Sequence, residues 1–225
     1  TALLLWLARI PLRYGFKEAA GSFLYTKAAA RRGYSHEVLR NLAILKNIGK
    51  NVEDFVGKMA LFIPEDEQNK AKRIIGEEKS DKVITIAPGS VWATKRWTVT
   101  GYSAVAKSLV DEGWKVILVG GSADAEAAEE IARRVNAKGL VNVVGQISLL
   151  TSVAIISRSL LVLTNDSAPL HLASACGVPI VSLFCATTPE MGYGPWQVAH
   201  EIVEVKDLAC RPCGRHGHKN CPTGT

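Results

Sequence analysis

The sequence predicts an α/β fold organised around a doubly wound parallel sheet. From Lys82 onward, short apolar runs such as Val83–Ala87 and Lys115–Val119 alternate with longer segments of helical spacing. The runs are near-continuously apolar, the pattern of strands buried on both faces. Several of them end in turn-forming residues, as at Pro88-Gly89-Ser90 and Gly120-Gly121, so each strand hands over to a crossover helix.

The elements follow in order. Val83–Ala87 is the first strand, and Thr100 to Glu112 has helical spacing that stops at Gly113. Lys115–Val119 is the second strand and Asp124 to Asn136 the next helix. A third strand at Leu140–Val144 leads into a helix at Ser148–Ser157, and a fourth at Leu160–Thr164 into a helix at Ala168–Cys176. Pro179–Phe184 is the fifth strand and Glu201–Val205 a sixth. This is a Rossmann-like domain. Residues 1–75 do not continue that beat. Trp6–Leu12 is an apolar stretch broken at Pro11, Arg13–Phe16 is a short strand, and Ser35 to Ile48 is a helix with Ser35 as cap and Gly49 as stop. Asn51 to Lys82, with Pro64 and the acidic run Glu65-Asp66-Glu67, connects the two regions.

Composition excludes several classes. The 225 residues are 48% hydrophobic and 21% charged, enough apolar material for a core and too little bias for disorder, collagen or low complexity. No apolar run approaches the ~20 residues that span a bilayer, and no signal peptide is evident. Five cysteines, an odd number with two inside apolar runs, argue for a reducing cytoplasm and against a disulfide framework. The net charge of +6 is unevenly spread: residues 1–50 hold nine Lys/Arg and two acids, while residues 76–225 hold fourteen of each sign. A basic N-terminal surface suits an anionic partner such as phospholipid, phosphorylated glycolipid or nucleic acid.

In open α/β sheets ligands sit beyond the carboxyl ends of the strands. The loop after the first strand, Pro88 to Trp97, carries Gly89 for close backbone approach, the hydroxyls of Ser90 and Thr94, and the cations Lys95 and Arg96. That set suits a phosphate ester. After the fourth strand, Asp166 or Ser167 caps a helix whose first turn holds Pro169, and His171 follows one turn in. The positive end of that helix faces any anion above the sheet. Gly192-Tyr-Gly194 lacks the last glycine of a dinucleotide fingerprint and precedes no helix, so NAD binding is unsupported. Cys210, Cys213, His216, His218 and Cys221 form a candidate zinc cluster, although the last interval is compact for a common finger.

These motifs resemble a known family. Ala87-Pro-Gly-Ser90 with Lys95-Arg-Trp97, the block Asn165 to Ala175 followed by Gly177-Val-Pro179, Ala186-Thr-Thr-Pro189 with Tyr193-Gly-Pro-Trp196, and the Cys210/Cys213 tail are similar to the ADP-heptose:lipopolysaccharide heptosyltransferases of glycosyltransferase family 9, the heptosyltransferase II branch above all. The resemblance implies a GT-B fold of two Rossmann-like domains. Residues 1–56 would end an N-terminal acceptor domain, 57–81 would be a linker, and 82–225 would bind the nucleotide-sugar donor. Heptose would pass from ADP-heptose to the lipopolysaccharide inner core with inversion, without a divalent metal or nucleic acid, in the cytoplasm and at the inner-membrane surface. Carried over by position, Ser90 and Lys95 contact the diphosphate, and Lys95 stabilises the leaving group. Asp166, Ser167 and Ala168 face donor sugar and phosphates with His171 behind; Ile147 walls the adenine, and Glu126 contacts the nucleoside. The family's catalytic aspartate lies upstream of anything resembling Thr1, so the chain is expected to be truncated at both ends and to retain donor binding only. The alternatives are a GT-B enzyme for another nucleotide sugar and a non-catalytic Cys/His metal module.

Overall fold

The computed structural model describes residues 1–76 and 82–224, which form two compact units. The first comprises Thr1–Gly57 and Glu190–Tyr193. It contains helix α1 (Ala2–Leu7), strands β1 (Tyr14–Phe16) and β2 (Lys27–Ala29) paired in parallel, and helix α2 (Glu37–Leu42). Arg13 Nε donates to Leu24 O at 2.7 Å, tying the loop before β2 to the chain before β1. The Glu18 carboxylate accepts the Arg31 and Arg32 N–H groups, and the Arg31 bond above all lowers its pKa. The helix expected from Ser35 to Ile48 is shorter. His36 is the cap, its Nδ1 accepting from Val38 N–H at 3.2 Å, and α2 gives way to 3₁₀ winding over Ala43–Ile48 before Gly49. Segment 190–193 joins this unit because Arg40 donates to Met191 O at 2.7 Å and Glu37 N–H to Gly192 O at 2.8 Å.

The second unit, Lys58–Pro189 and Gly194–Thr225, carries the sheet. Its elements are α3 (Glu65–Ile75), β3 (Val83–Ala87), α4 (Val99–Asp111), β4 (Lys115–Leu118), α5 (Ala125–Val135), β5 (Leu140–Asn142), α6 (Leu149–Ile156), β6 (Leu161–Asn165), α7 (Ala168–Cys176), β7 (Ile180–Phe184) and β8 (His200–Glu204). Among the described residues the strands lie in the order β5-β4-β3-β6-β7-β8, all parallel.

Period-two side-chain alternation builds the layers. Ile84 and Ile86 of β3 pack with Val116 and Leu118 of β4 against Tyr102 and Ala106 of α4 and Ile131 of α5. Val83 and Ala87 point the other way, with Ile117 and Val119, against Ala71 of α3 and Ile155 of α6. Val162 and Ile180 meet Ala173 of α7. Helix α3, in the stretch expected as a linker, packs on α6 within this unit, and residues 77–81 of that stretch lie outside the described residues. Glu67, only 8% exposed, makes that junction: it pairs with Lys70 at 2.8 Å and accepts the hydroxyls of Ser148 at 3.0 Å and of Thr151. Lys70, then the Thr151 hydroxyl, holds the Glu67 carboxyl down at about 2.

The helix starts follow side-chain caps. Thr98 accepts from Gly101 N–H at 3.1 Å and opens α4 two residues before the expected Thr100, while Ser148 accepts from Thr151 N–H at 3.0 Å and opens α6 as its position implied. The strand order reverses between β3 and β6, since β4 and β5 extend the sheet one way and β7 and β8 the other. That reversal leaves a crevice at the carboxyl ends, into which the loops after β3 and β6 both open.

Candidate functional site

The two loops at the reversal point are fastened together by one buried side chain. Asn165, the last residue of β6, has no solvent exposure. Its Oδ1 accepts from Trp97 N–H at 3.0 Å and from the Tyr102 hydroxyl at 2.9 Å. Its Nδ2 donates to Pro88 O at 2.7 Å and Gly89 O at 3.3 Å. Four hydrogen bonds use the full capacity of the amide, and they grip both ends of the 88–97 loop. Burial pushes the Tyr102 phenol pKa up, so its hydroxyl keeps the proton it donates.

Within that frame the loop makes a 3₁₀ turn at Ala93–Lys95 and brings the Lys95 ammonium to Asp166 Oδ2 at 2.6 Å. Both side chains are largely buried, 14% and 6% exposed. The Thr187 hydroxyl donates to the same carboxylate oxygen at 2.6 Å. Of the two cap candidates, Asp166 is not the one at the start of α7: its carboxylate is occupied by Lys95 and Thr187. Ser167 takes the cap position with extended backbone and makes no capping bond; its hydroxyl lies 3.4 Å from Thr164 Oγ1 and from Asn165 O. Pro169 is in the first turn, and the start of α7 is anchored through Asp166 N–H to Leu183 O at 3.0 Å.

Ser90 is buried on the same loop, and its carbonyl accepts from Arg96 Nε at 2.7 Å. His171 is half-buried in α7. Ile147 packs against the core beside Val119 and Val143. Glu126 lies exposed on the first turn of α5, but Asp124, two residues earlier, reaches the strand ends. Its Oδ2 accepts from Gly121 N–H at 3.1 Å, and a Cβ at Gly89 would collide with its carboxyl. Asn165 and Thr187 stand in the motifs that carry the resemblance but had no role assigned to them, and only its place after β4 pointed to Asp124.

The Cys/His tail packs on the 88–97 loop and on the loop after β7. Thr94 N–H donates to His218 O at 3.1 Å and His218 N–H to Thr94 Oγ1 at 2.7 Å. His216 stacks on Trp92 with ring centroids 6.5 Å apart, and Cys213 N–H donates to Ala186 O at 2.8 Å. Burial, then the neighbouring Cys210 and Cys221, raises the Cys213 thiol pKa. Among the described residues no three His, Cys, Asp or Glu side chains are grouped to hold a metal ion.

A largely buried lysine, the start of a helix and a close-approach glycine are the kinds of group from which an anion site is built. A groove of about 890 Å³ opens beside them, lined by Thr94, Arg96 and Trp97 of the 88–97 loop and by Leu163, Leu183 and Val203, and neither Lys95 nor Asp166 lines it.

The model of glycosyltransferase family 9 (heptosyltransferase) matches residues 1–223. The chain belongs to glycosyltransferase family 9. It is 34% identical over 112 residues to lipopolysaccharide heptosyltransferase 2 of Escherichia coli, covering 48% of this chain and 32% of that protein. It is 28% identical over 205 residues to lipooligosaccharide heptosyltransferase 2 of Haemophilus influenzae, covering 84% of this chain and 58% of that one. The solved structure of E. coli ADP-heptose lps heptosyltransferase II superposes with a TM-score of 0.76 at 25% identity, over 97% of this chain and 67% of that one. This chain thus spans between a third and three-fifths of the length of these curated relatives. The family-9 fold is the GT-B α/β architecture expected from the sequence, with its parallel sheet flanked by helices. No helix of the described residues is long and apolar enough to cross a membrane.

Proposed function

We propose that the protein to which this chain belongs is an inverting heptosyltransferase that moves heptose from ADP-heptose to the inner core of lipopolysaccharide, and that residues 82–224 bind the donor. The observation that carries this reading is the Lys95–Asp166 pair, held beside the start of α7 by Asn165 in a chain of family 9. When ADP leaves the anomeric carbon, negative charge gathers on the diphosphate. Lys95 and the first N–H groups of α7 are fixed in position before that charge develops, which is the arrangement that stabilises a leaving group without reorganisation. The protein supplies this positive field itself, and the proposed reaction needs no divalent metal.

Ser90, Ser167 and Ala168 flank the same anion, with His171 behind them on α7, and Asp124 takes the nucleoside-facing role that the resemblance gave to Glu126. Ile147 borders the adenine. The acceptor is an anionic glycolipid, to which the basic residues 1–50 offer a complementary surface. This places the enzyme at the cytoplasmic side of the inner membrane, with residues 1–56 belonging to the acceptor domain.

Calorimetric titration with ADP, ADP-heptose and UDP-sugars tests the donor. Adenine nucleotides should bind and UDP-sugars should not; equal or tighter binding of UDP-sugars would overturn the ADP-heptose reading in favour of another nucleotide sugar. Lys95→Ala should weaken ADP binding by on the order of 1–3 kcal/mol, the value of a charged hydrogen bond in a partly desolvated site.

A further inference from the structure

We infer that Arg211 is a positioning residue of the phosphate site: it pins the backbone of Thr187, whose hydroxyl aims the Asp166 carboxylate at Lys95. The proposal rests on the donor-site reading above. Arg211 lies in the tail, and its side chain is only 3% exposed. Its Nε and Nη2 both donate to Thr187 O, at 3.1 and 2.6 Å, Nη1 donates to Val205 O, and Nη2 also meets Glu204 Oε2 at 2.7 Å. A buried Arg–Glu pair is by itself weak evidence of stabilisation. Here, however, the guanidinium fork closes on the one carbonyl that carries Thr187, and the tail holds the preceding carbonyl too, through Cys213 N–H to Ala186 O at 2.8 Å.

The consequence runs inward. Thr187 is 1% exposed, and its hydroxyl makes its 2.6 Å bond to the same Asp166 oxygen that Lys95 meets at 2.6 Å. A lysine on a flexible four-carbon stem has no preferred position of its own, so the place of its ammonium is decided by the partner that holds it. Asp166 can rotate about its terminal torsion, and Thr187 removes that freedom. Glu204, Arg211, Thr187, Asp166 and Lys95 thus form one connected line of charged and hydroxyl groups from the edge strand β8 to the phosphate loop. An arginine is required at its head because the planar fork reaches two carbonyls and a carboxylate at once, which an ammonium cannot reproduce.

The test compares wild type with Arg211→Met, Arg211→Lys, Thr187→Val and Thr187→Ser. The first readout is ligand-free: the rate at which an acetylating reagent labels the Lys95 amine, read by mass spectrometry, with Lys115 as internal reference because its ammonium is held elsewhere by Ile74 O and Ile75 O. Arg211→Met and Thr187→Val should raise Lys95 labelling several-fold with Lys115 unchanged, and Thr187→Ser should restore the slow rate. The second readout is calorimetric: both variants should bind ADP about tenfold more weakly while binding adenosine as wild type does, since one misplaced charged hydrogen bond is worth about that factor. Arg211→Lys should recover little of either. Unchanged Lys95 labelling, or a rise shared equally by Lys115, would overturn the proposal and leave Arg211 as a structural tether. Should wild type bind no ADP, the donor reading fails, while the labelling series still decides the positioning role; should Arg211→Met not fold, the Thr187 pair decides it.

Discussion

Replacing Asn165 by Asp tests the clamp that holds the two loops together. The change preserves size and keeps an oxygen to accept from Trp97 N–H and Tyr102 OH, but it puts a second oxygen where Nδ2 donates to Pro88 O at 2.7 Å. An ionised carboxylate there would face a carbonyl in a site with no solvent exposure, so the folded protein retains a proton on the introduced carboxyl and donates it to Pro88 O. The cost is then the free energy of protonating a group whose unfolded pKa is about 3.9, at about 1.36 kcal/mol per pH unit. That gives about 4 kcal/mol at pH 7 and about 1.5 kcal/mol at pH 5, to which loss of the weaker bond to Gly89 O adds about 0.5–1 kcal/mol. The folded pKa is raised, so the stability difference is smallest below the unfolded pKa and grows as pH rises through neutrality. Urea unfolding of both proteins at pH 5 and pH 7 measures it. A pH-independent difference, or a loss below about 1 kcal/mol at pH 7, would refute the claim that this amide holds the loops.

Three further outcomes follow from particular contacts. Gly217 has φ +78°, and a Cβ there would come within 2.7 Å of Thr94 Oγ1 and 3.2 Å of the Lys95 side chain, so Gly217→Ala should detach the tail from the phosphate loop. Faster amide exchange at Thr94 and His218 with a stability loss of about 1–3 kcal/mol would show it, and unchanged protection would contradict it. Glu67 has its pKa depressed to about 2, so it contributes stability above its unfolded value near 4.5 that is lost as pH falls from there towards 2. Glu67→Gln should flatten the fall in thermal midpoint across that acid window, and an unchanged slope would remove Glu67 from the α3–α6 junction. Lys95→Ala should reduce the preference for ADP over adenosine, measured by calorimetric titration of both, by about 1–3 kcal/mol, and an undiminished preference would take Lys95 out of the site.

Much of this was legible because local physics wrote it into short stretches. The strands of the second unit follow from apolar runs set between turn residues, and Ser148 announces its helix because a hydroxyl can satisfy a free N–H within three residues. The loop 88–97 and the block from Asn165 onward stood out for the same reason: polar and cationic residues sit where a strand must hand over to a helix. Less legible were readings in which one local partner was as good as another. Asp166 has the right chemistry to cap α7, yet its carboxylate meets Lys95 and Thr187, 71 and 21 positions away in the chain. Ser35 lost the cap of α2 to its neighbour His36, because a shift of one position turns a side chain to another face.

The sequence by itself determined the parallel α/β fold, the reversal-point loops and the resemblance that the family-9 match bears out, since these depend on periodicity and on motifs contiguous in the chain. Only the tertiary structure decided what holds the site. Asn165 reaches back 77 residues to Pro88 and 63 to Tyr102, and Arg211 reaches 24 back to Thr187. Such bonds form because buried polar groups must find partners wherever the fold brings them, and no pattern along the chain encodes which distant carbonyl that will be. The tail shows the difference: its thiols and imidazoles stand out along the chain, and in three dimensions its backbone and Arg211 hold Thr94, Ala186 and Thr187.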